Sequence, residues 1–187
     1  MRVVGGALRG RSLASPKSQS VRPTTDRLRE SIFDILAHAF DNACAGALVV
    51  DLFAGTGALG IEALSRGAAR ALFVDDGAEA RALLRENIEA LGLGGVTRVF
   101  RRDATKLGLA PPGEAFTLAF LDPPYGKLLA PLALDELLRG GWLAPGALVV
   151  IEEGATAALD LPEQLAREDS RRYGETQIIF ARRKAET

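Results

Sequence analysis

Four consecutive residues, Asp122, Pro123, Pro124 and Tyr125, carry the chemical groups needed to hold an aromatic amine. Each proline fixes its φ at about −65° and lacks an N–H, so the pair predicts a rigid turn. The carboxylate of Asp122 and the carbonyl of Pro123 can then accept the hydrogens of an exocyclic –NH₂. These acceptors would aim the nitrogen lone pair at an electrophile and stabilise the charge that grows on nitrogen. Tyr125 offers a ring face for an unstacked base, so the motif predicts chemistry at a nucleobase amine.

The stretch 48–60 (Leu-Val-Val-Asp-Leu-Phe-Ala-Gly-Thr-Gly-Ala-Leu-Gly) predicts a strand, a tight loop and a helix that hold a small molecule. Its glycines let a ligand approach the backbone without a Cβ in the way. The helix that follows points its free N–H groups at that ligand. The predicted binding residues of this stretch are Asp51, Phe53, Gly55, Thr56 and Gly57.

Two kinds of ligand fit the glycine pattern. Gly55, Gly57 and Gly60 form G-x-G-x-x-G, and Asp75 follows Gly55 by twenty residues, as in dinucleotide-binding proteins. A dinucleotide would bring its pyrophosphate close to the carboxylate of Asp51, and like charges repel. S-adenosylmethionine (SAM) has no phosphate and presents an α-ammonium group, for which Asp51 is an attractive partner. This comparison favours SAM.

Aspartates follow several of the apolar stretches that predict strands. They are Asp51, Asp75, Asp103 and Asp122. Because ligands bind beyond the carboxyl ends of the strands in an open α/β sheet, we expect these acids to form one polar rim. Asp75 is placed to accept from the ribose hydroxyls, and Asp103, next to Ala104, from the adenine amino group. Asp76 is a further neighbour, and the alternative role of Asp103 is a helix N-cap.

The elements around these motifs predict an α/β fold with a mostly parallel sheet. Apolar strands at 48–51, 71–75, 96–100, 116–121 and 147–151 alternate with helices at 58–66, 78–91 and 131–138. A further helix is expected after Thr24 and Thr25, which are potential N-caps. Residues 162–166 are predicted as a short helix and residues 176–181 as an antiparallel edge strand.

Composition limits the classes of protein and site. The chain has 187 residues, a net charge of −1, a single cysteine and a single histidine, so neither an internal disulfide nor a histidine–cysteine metal cluster is expected. It has no stretch apolar and long enough to span a membrane and does not open with a signal peptide. We therefore expect a cytoplasmic, metal-free protein, and a monomer.

The N-terminal segment differs from the rest in charge. Residues 1–30 have a balance of +5, against −6 for the remainder. We expect residues 1–23 to form a basic arm or β-hairpin, pairing 2–4 with 11–13, that adds little to the core, and residues 24–187 to form the catalytic domain. The alternative is a solvated tail. The side chains expected to meet RNA phosphate are Arg9, Arg11, Arg22, Arg27 and Arg29.

These motifs resemble those of class I SAM-dependent amino-methyltransferases. The segments 2–11 (Arg-Val-Val-Gly-Gly, then Arg-Gly-Arg) and 22–33 (Arg-Pro-Thr-Thr-Asp-Arg-Leu-Arg-Glu-Ser-Ile-Phe) are similar to the bacterial ribosomal small-subunit methyltransferase D family. The resemblance implies a Rossmann-like, seven-stranded sheet and methyl transfer from SAM to N2 of guanine 966 in 16S ribosomal RNA, on an assembled particle. Asp75 departs from this pattern, since many relatives carry Glu there.

Other functions remain as alternatives. An adenine-N6 DNA methyltransferase would use the same motifs, but such enzymes usually carry a large target-recognition region, and only about 45 residues lie outside the core here. An NAD(P)-dependent oxidoreductase would explain the glycines and leave Asp122 to Tyr125 without a role. A binding module without catalysis would not need that motif either.

Overall fold

The computed structural model describes residues 1–16 and 25–185 of the chain. Its strands are β1 (Leu48–Leu52), β2 (Arg70–Val74), β3 (Thr97–Phe100), β4 (Phe116–Leu121), β5 (Leu143–Gly154), β6 (Leu165–Tyr173) and β7 (Thr176–Arg183). Its helices are α1 (Asp26–His38), α2 (Ala58–Ser65), α3 (Ala78–Ala90) and α4 (Leu129–Arg139), with a 3-10 turn at Gly94–Val96.

The strands of the described residues form one seven-stranded sheet in the order β3-β2-β1-β4-β5-β7-β6. Neighbours among β1 to β5 are parallel, whereas β7 pairs antiparallel with both β5 and β6. The predicted α/β class with a mostly parallel sheet and an antiparallel edge is therefore confirmed. The reversal of order beside β1 places a crevice at the carboxyl ends of β1 and β4, where open α/β sheets bind ligands.

Both faces of the sheet are covered, because successive side chains of each strand point to opposite sides. One face carries α1, α2 and α3, and their core includes Phe33 stacked at a tilt on Phe120 with ring centroids 5.5 Å apart. The other face carries α4 and a core with fully buried Leu134 and Trp142. With the faces occupied, the loops at the carboxyl ends of the strands are left to form a site.

The N-terminal arm, defined here as residues 1–16, packs against α2. Arg2 and Ser12 form an isolated antiparallel bridge, in agreement with the predicted pairing of 2–4 with 11–13. Val3 and Leu13 are 1% and 5% exposed and belong to the core on the α2 side. The expectation that the arm adds little to the core was therefore wrong, since an extended segment can bury alternate residues without a long apolar run.

Local predictions at the ends of the chain had different outcomes. Thr25 caps α1, with its Oγ1 accepting from the N–H of Leu28 at 3.1 Å, while Thr24 lies outside the described residues. The short helix predicted at 162–166 was wrong. Pro162 begins a turn closed by Leu165, and β6 starts there as the outer strand. Residues 176–181 are antiparallel as predicted, but the prediction that they form the edge was wrong, because β6 pairs outside β7. The exposed side chains of β6 gave little apolar signal, and its pairing with β7 decides its conformation.

Among residues 1–16 and 25–185, no helix has both the length and the apolar character needed to cross a membrane. The same residues contain no group of three or more His, Cys, Asp or Glu side chains that could hold a metal ion.

Candidate active site at the carboxyl edge of the sheet

The glycine-rich stretch and the Asp-Pro-Pro-Tyr motif follow neighbouring strands. Leu52, the last residue of β1, pairs with Val74 on β2 and with Leu121 on β4. The glycine loop, defined as residues 53–57, therefore leaves the sheet beside both Asp75 and Asp122. Paired strands lie about 4.8 Å apart, so groups held by the two motifs can come into contact.

Two of the three glycines are required by packing. Gly57 is the N-cap of α2 with φ +81°, and a Cβ there would lie 2.3 Å from Leu84 Cδ1. A Cβ on Gly60 would lie 2.4 Å from the Phe73 ring. These distances are far shorter than a van der Waals contact, so a larger residue at either position would have to displace side chains packed between α2, β2 and α3. The predicted ligand contact of Gly57 could be made by its backbone, and it stays a prediction.

Gly55 is the glycine that faces open space. Its φ is +57°, and the nearest atom to an added Cβ would be the carbonyl oxygen of Phe53 at 4.0 Å. Phe53 itself has a left-handed φ of +58°, which turns the chain sharply out of β1. On the other side of Gly55, the carbonyl of Thr56 accepts from Asn87 Nδ2 at 2.9 Å. The loop is thus fixed from below and leaves its backbone accessible at Gly55, as a cradle for a small molecule requires.

Asp75 joins the glycine loop to the start of α3. Its Oδ2 accepts from the N–H of Gly55 at 2.9 Å, and its Oδ1 accepts from the N–H of Gly77, the N-cap of α3, at 2.8 Å. Each carboxylate oxygen has a further lone pair. Asp75 can therefore accept from a ligand hydroxyl while it holds both loops. Asp76, beside it, is exposed.

Asp51 lies beneath the first turn of α2. It is 1% exposed, and its Oδ2 accepts from the N–H of Gly60 at 2.9 Å. Burial is the main cause that raises the pKa of Asp51 to about 8. The hydrogen bond from Gly60 lowers this pKa, and the negative charge of Asp75 raises it to a smaller extent. A cation placed nearby would favour the ionised form.

Asp103 lies three residues beyond the end of β3, next to the buried Ala104. Its Oδ1 accepts from the N–H of Thr105 at 2.8 Å and from the Thr105 hydroxyl at 2.7 Å, and these bonds lower the pKa of the Asp103 carboxyl. The N–H of Asp75 donates to the carbonyl of Phe100 at the end of β3. This contact keeps the β3 loop on the Asp75 side of the crevice.

The Asp-Pro-Pro-Tyr motif leaves β4 as the pattern predicted. Asp122 is half-buried, Pro123 is buried and Pro124 is exposed. Tyr125 is 39% exposed, and its hydroxyl lies 2.8 Å from Glu152 Oε1. Burial is the main cause that raises the pKa of the Tyr125 hydroxyl. The ring thus has one exposed side and a hydroxyl fixed to the sheet.

The second partner of the Tyr125 hydroxyl is Thr176 Oγ1, also at 2.8 Å. Sequence reasoning identified neither Glu152 nor Thr176 as a site residue. The signal for Glu152 was an acidic pair, Glu152 and Glu153, at the end of an apolar stretch that should face the same edge as the aspartates. Thr176 offered no signal, because its position depends on the antiparallel pairing of β7.

One of the predicted RNA-binding arginines lies inside the fold. Arg29 is fully buried. Its Nη2 donates to Asp26 Oδ1 at 2.9 Å and to the carbonyl of Arg2, and its Nε lies 3.7 Å from Glu62 Oε2. The prediction that Arg29 meets phosphate was wrong, because a buried acid on α2 pairs with the guanidinium inside the fold. Arg22 lies outside the described residues.

Arg9, Arg11 and Arg27 are exposed. Arg9 follows Leu8, whose N–H donates to the hydroxyl of Ser65, the last residue of α2. The side chain of Arg11 donates to the carbonyl of Ala90, the last residue of α3. α2 starts at the glycine loop and has 8 residues, so its far end is about 12 Å away. Arg9 and Arg11 therefore lie toward the edge of the sheet opposite the site.

Asn87, on α3, connects the arm to the glycine loop and was also missed from the sequence. It is 2% exposed. Its Oδ1 accepts from the N–H of Ala14 at 2.7 Å, while its Nδ2 donates to the carbonyl of Thr56 at 2.9 Å. The end of the arm, at Ala14, is thus fixed next to the glycine loop, although the turn of the arm around Arg9 lies far from that loop.

Comparisons with known proteins support the motif-based resemblance. The family model described as Conserved hypothetical protein 95 matches residues 1–182. The ribosomal RNA small subunit methyltransferase D of Escherichia coli K12 is 40% identical over 152 residues, which are 81% of this chain and 74% of the relative. The enzyme of the same name from Haemophilus influenzae is 32% identical over 166 residues, which cover 87% and 83%.

A solved structure leads to the same assignment. That of the Escherichia coli protein yhhF superposes with a TM-score of 0.87 at 33% identity and covers 100% of this chain and 99% of that one. The structural neighbours include class I methyltransferases, as the resemblance had implied. The chain therefore belongs to the Conserved hypothetical protein 95 family, together with the ribosomal RNA small subunit methyltransferases D, and has their Rossmann-like class I methyltransferase fold.

Proposed function

We propose that this chain transfers a methyl group from SAM to the exocyclic N2 amine of a guanine in 16S ribosomal RNA. Its relatives are named ribosomal RNA small subunit methyltransferase D. Guanine 966 is the target that the resemblance of segments 2–11 and 22–33 to that family implies. The proposed partner is this RNA in the small ribosomal subunit or its assembly intermediate. We further propose that the enzyme acts in the cytoplasm as a monomer and without a metal ion.

The observation that carries the proposal is the adjacency of two motifs. The glycine loop follows β1 and the Asp-Pro-Pro-Tyr motif follows β4, and these strands are paired up to Leu52 and Leu121. A cradle for a small molecule and a pair of amine acceptors thus share one crevice. A dinucleotide oxidoreductase would need the first motif and would leave the second without a function.

The residues present fit SAM, since Gly55 leaves room for a ligand against the backbone and acids lie on both sides of it. SAM supplies a methyl group on a positively charged sulfur. Asp51 is proposed to stabilise its ammonium group, Asp75 its ribose hydroxyls, and Asp103 with Ala104 its adenine. Phe53, Thr56, Gly57 and Asp76 complete the proposed binding set.

At the acceptor side, the carboxylate of Asp122 and the carbonyl of Pro123 are proposed to accept the hydrogens of the guanine amine. Holding both hydrogens directs the nitrogen lone pair along one line and stabilises the positive charge as the new bond forms. Pro124 keeps the turn rigid, and Tyr125 stacks on the base. Arg9, Arg11 and Arg27 are the exposed arginines proposed to meet RNA phosphates away from the reacting base.

The test is methylation of 16S ribosomal RNA and of small subunits with labelled SAM, followed by mapping of the modified base. Label on a guanine N2 is the expected result. Label on adenine in DNA would instead favour the adenine-N6 alternative. A thermal-shift measurement separates the cofactors, because SAM and not NAD should raise the Tm.

A further inference from the structure

The hydroxyl of Tyr125 lies between two side chains from other strands. Glu152 Oε1 on β5 and Thr176 Oγ1 on β7 are each 2.8 Å from it. Glu152 is 7% exposed and Thr176 is 3% exposed. The two partners therefore belong to the rigid part of the sheet, whereas Tyr125 belongs to a loop.

The directions of these two hydrogen bonds follow from the donors available. The Tyr125 hydroxyl has one hydrogen, which it donates to the carboxylate of Glu152. Its oxygen can then accept the hydrogen of the Thr176 hydroxyl. The result is a chain of hydrogen bonds from Thr176 through Tyr125 to Glu152, with a charged acceptor at its end, which is the stronger kind.

The loop that carries Tyr125 needs such a fixed point. Residues 124–128 are all exposed, and Gly126 and Leu128 have left-handed φ values of +75° and +52°. α4 begins only at Leu129. Few apolar contacts are thus available to place the loop, and hydrogen bonds of its one aromatic residue to buried groups can determine where the ring lies.

We propose that Glu152 and Thr176 are positioning residues of the methyl-acceptor site: they hold the Tyr125 ring against the place of the target base and so keep Asp122 and the Pro123 carbonyl aimed at its amine. This inference rests on the proposed function. The two prolines transmit the constraint, because they fix the backbone between Asp122 and Tyr125. Neither partner touches the base itself.

The experiment is a double-mutant cycle in the full-length enzyme. Glu152→Leu and Tyr125→Phe should each lower kcat/KM for RNA by about tenfold or more, the scale of one lost hydrogen bond to a charged group. Glu152→Leu in the Tyr125→Phe background should add almost nothing. Glu152→Gln should restore most of the rate, since its amide oxygen still accepts from tyrosine. Equal losses from Glu152→Leu in both backgrounds would overturn the proposal.

If Glu152→Leu does not fold, Thr176→Val tests the bond between the Thr176 and Tyr125 hydroxyls, since valine suits a strand. Thr176→Ser keeps the hydroxyl and should therefore keep the wild-type kcat/KM. The matched control is Glu153→Leu, because Glu153 is about as buried as Glu152 and its Oε1 accepts from the N–H of the adjacent Gly154 at 2.9 Å. Its rate should stay within about twofold of wild type. A loss equal to that of Glu152→Leu would show general damage to the sheet.

A measurement without catalysis separates this inference from the proposed function. Amide hydrogen exchange of residues 126–128 should become faster in Glu152→Leu, Thr176→Val and Tyr125→Phe, while SAM affinity stays unchanged. If wild-type enzyme does not methylate RNA, the proposed function fails and hydrogen exchange still tests the anchoring. Unchanged exchange in all three variants would refute the anchoring.

Discussion

Replacement of Gly55 with alanine should abolish most SAM binding and leave the fold in place. The added methyl group would project into the open side of the glycine loop, where the nearest protein atom is Phe53 O at 4.0 Å. A ligand that lies against this backbone would have to move away by roughly the radius of a methyl group and would lose its closest contacts. We expect SAM affinity to fall at least tenfold, which corresponds to about 1.4 kcal/mol.

The expected cost to stability is small. An L residue in the left-handed region, such as φ +57° at Gly55, costs about 1–2 kcal/mol. The change from Gly to Ala also restricts the unfolded chain, which offsets about 0.4–1 kcal/mol of that cost. The net loss is then about 0–1.6 kcal/mol. For a chain of this size, the Tm should fall by no more than about 6 °C.

Gly57→Ala is the matched control. It has the same change of side chain and a similar φ of +81°, but its Cβ would lie 2.3 Å from Leu84 Cδ1. Overpacking adds about 1–3 kcal/mol to the cost of the left-handed conformation, so this variant should lose clearly more stability. Thermal unfolding and calorimetric titration with SAM would be measured for both.

Normal SAM affinity in Gly55→Ala would refute the assignment of the loop as a cofactor cradle. If Gly55→Ala lost as much stability as Gly57→Ala, the conclusion that a Cβ at position 55 projects into open space would be refuted.

The remaining predictions concern the acids and the arm. Because the pKa of Asp51 is raised to about 8 in the folded protein, its carboxyl is mostly protonated at pH 7, and SAM binding should release close to one proton. Calorimetry in buffers of different ionisation enthalpy should show this release in wild type and not in Asp51→Asn. The same raised pKa means that Asp51 makes the fold less stable as pH rises from about 4 to 8, and urea unfolding of Asp51→Asn should lack this contribution. Asp122→Ala should bind SAM normally and lose about 2.7–4 kcal/mol of transition-state stabilisation, seen in kcat under single-turnover conditions, and a near-normal rate would exclude its proposed role. Arg9→Ala with Arg11→Ala should lower the slope of log RNA affinity against log salt by about 1.4–1.8, while Arg139→Ala on α4 should not change it; equal slopes would mean that the arm only packs against the domain.

Several features could be predicted from the sequence because they depend on local chemistry. The apolar residues Leu48, Val49, Val50 and Leu52 lie on both faces of one strand, which is typical of a covered parallel sheet, and the structure buries the last three of them. Thr25 could be predicted as a cap because the cap bond spans only three residues. The Asp-Pro-Pro-Tyr motif indicated amine chemistry because its acceptors are consecutive in the chain.

Other features were decided by contacts between distant segments. The sequence predicted Arg29 as a surface charge, but Glu62, 33 positions along the chain, lies beside it in the core. The need for a residue without a Cβ at position 57 likewise comes from Leu84 of α3, 27 positions along the chain.

The roles of Glu152 and Thr176 likewise depend on which strands are neighbours. Residue type and spacing report what a side chain can do and what lies within a turn or two of it. Which groups actually meet depends on strand order and on burial of the whole chain, so the chemistry of this site was predictable from sequence, whereas the supports that hold Tyr125 were determined only by the tertiary structure.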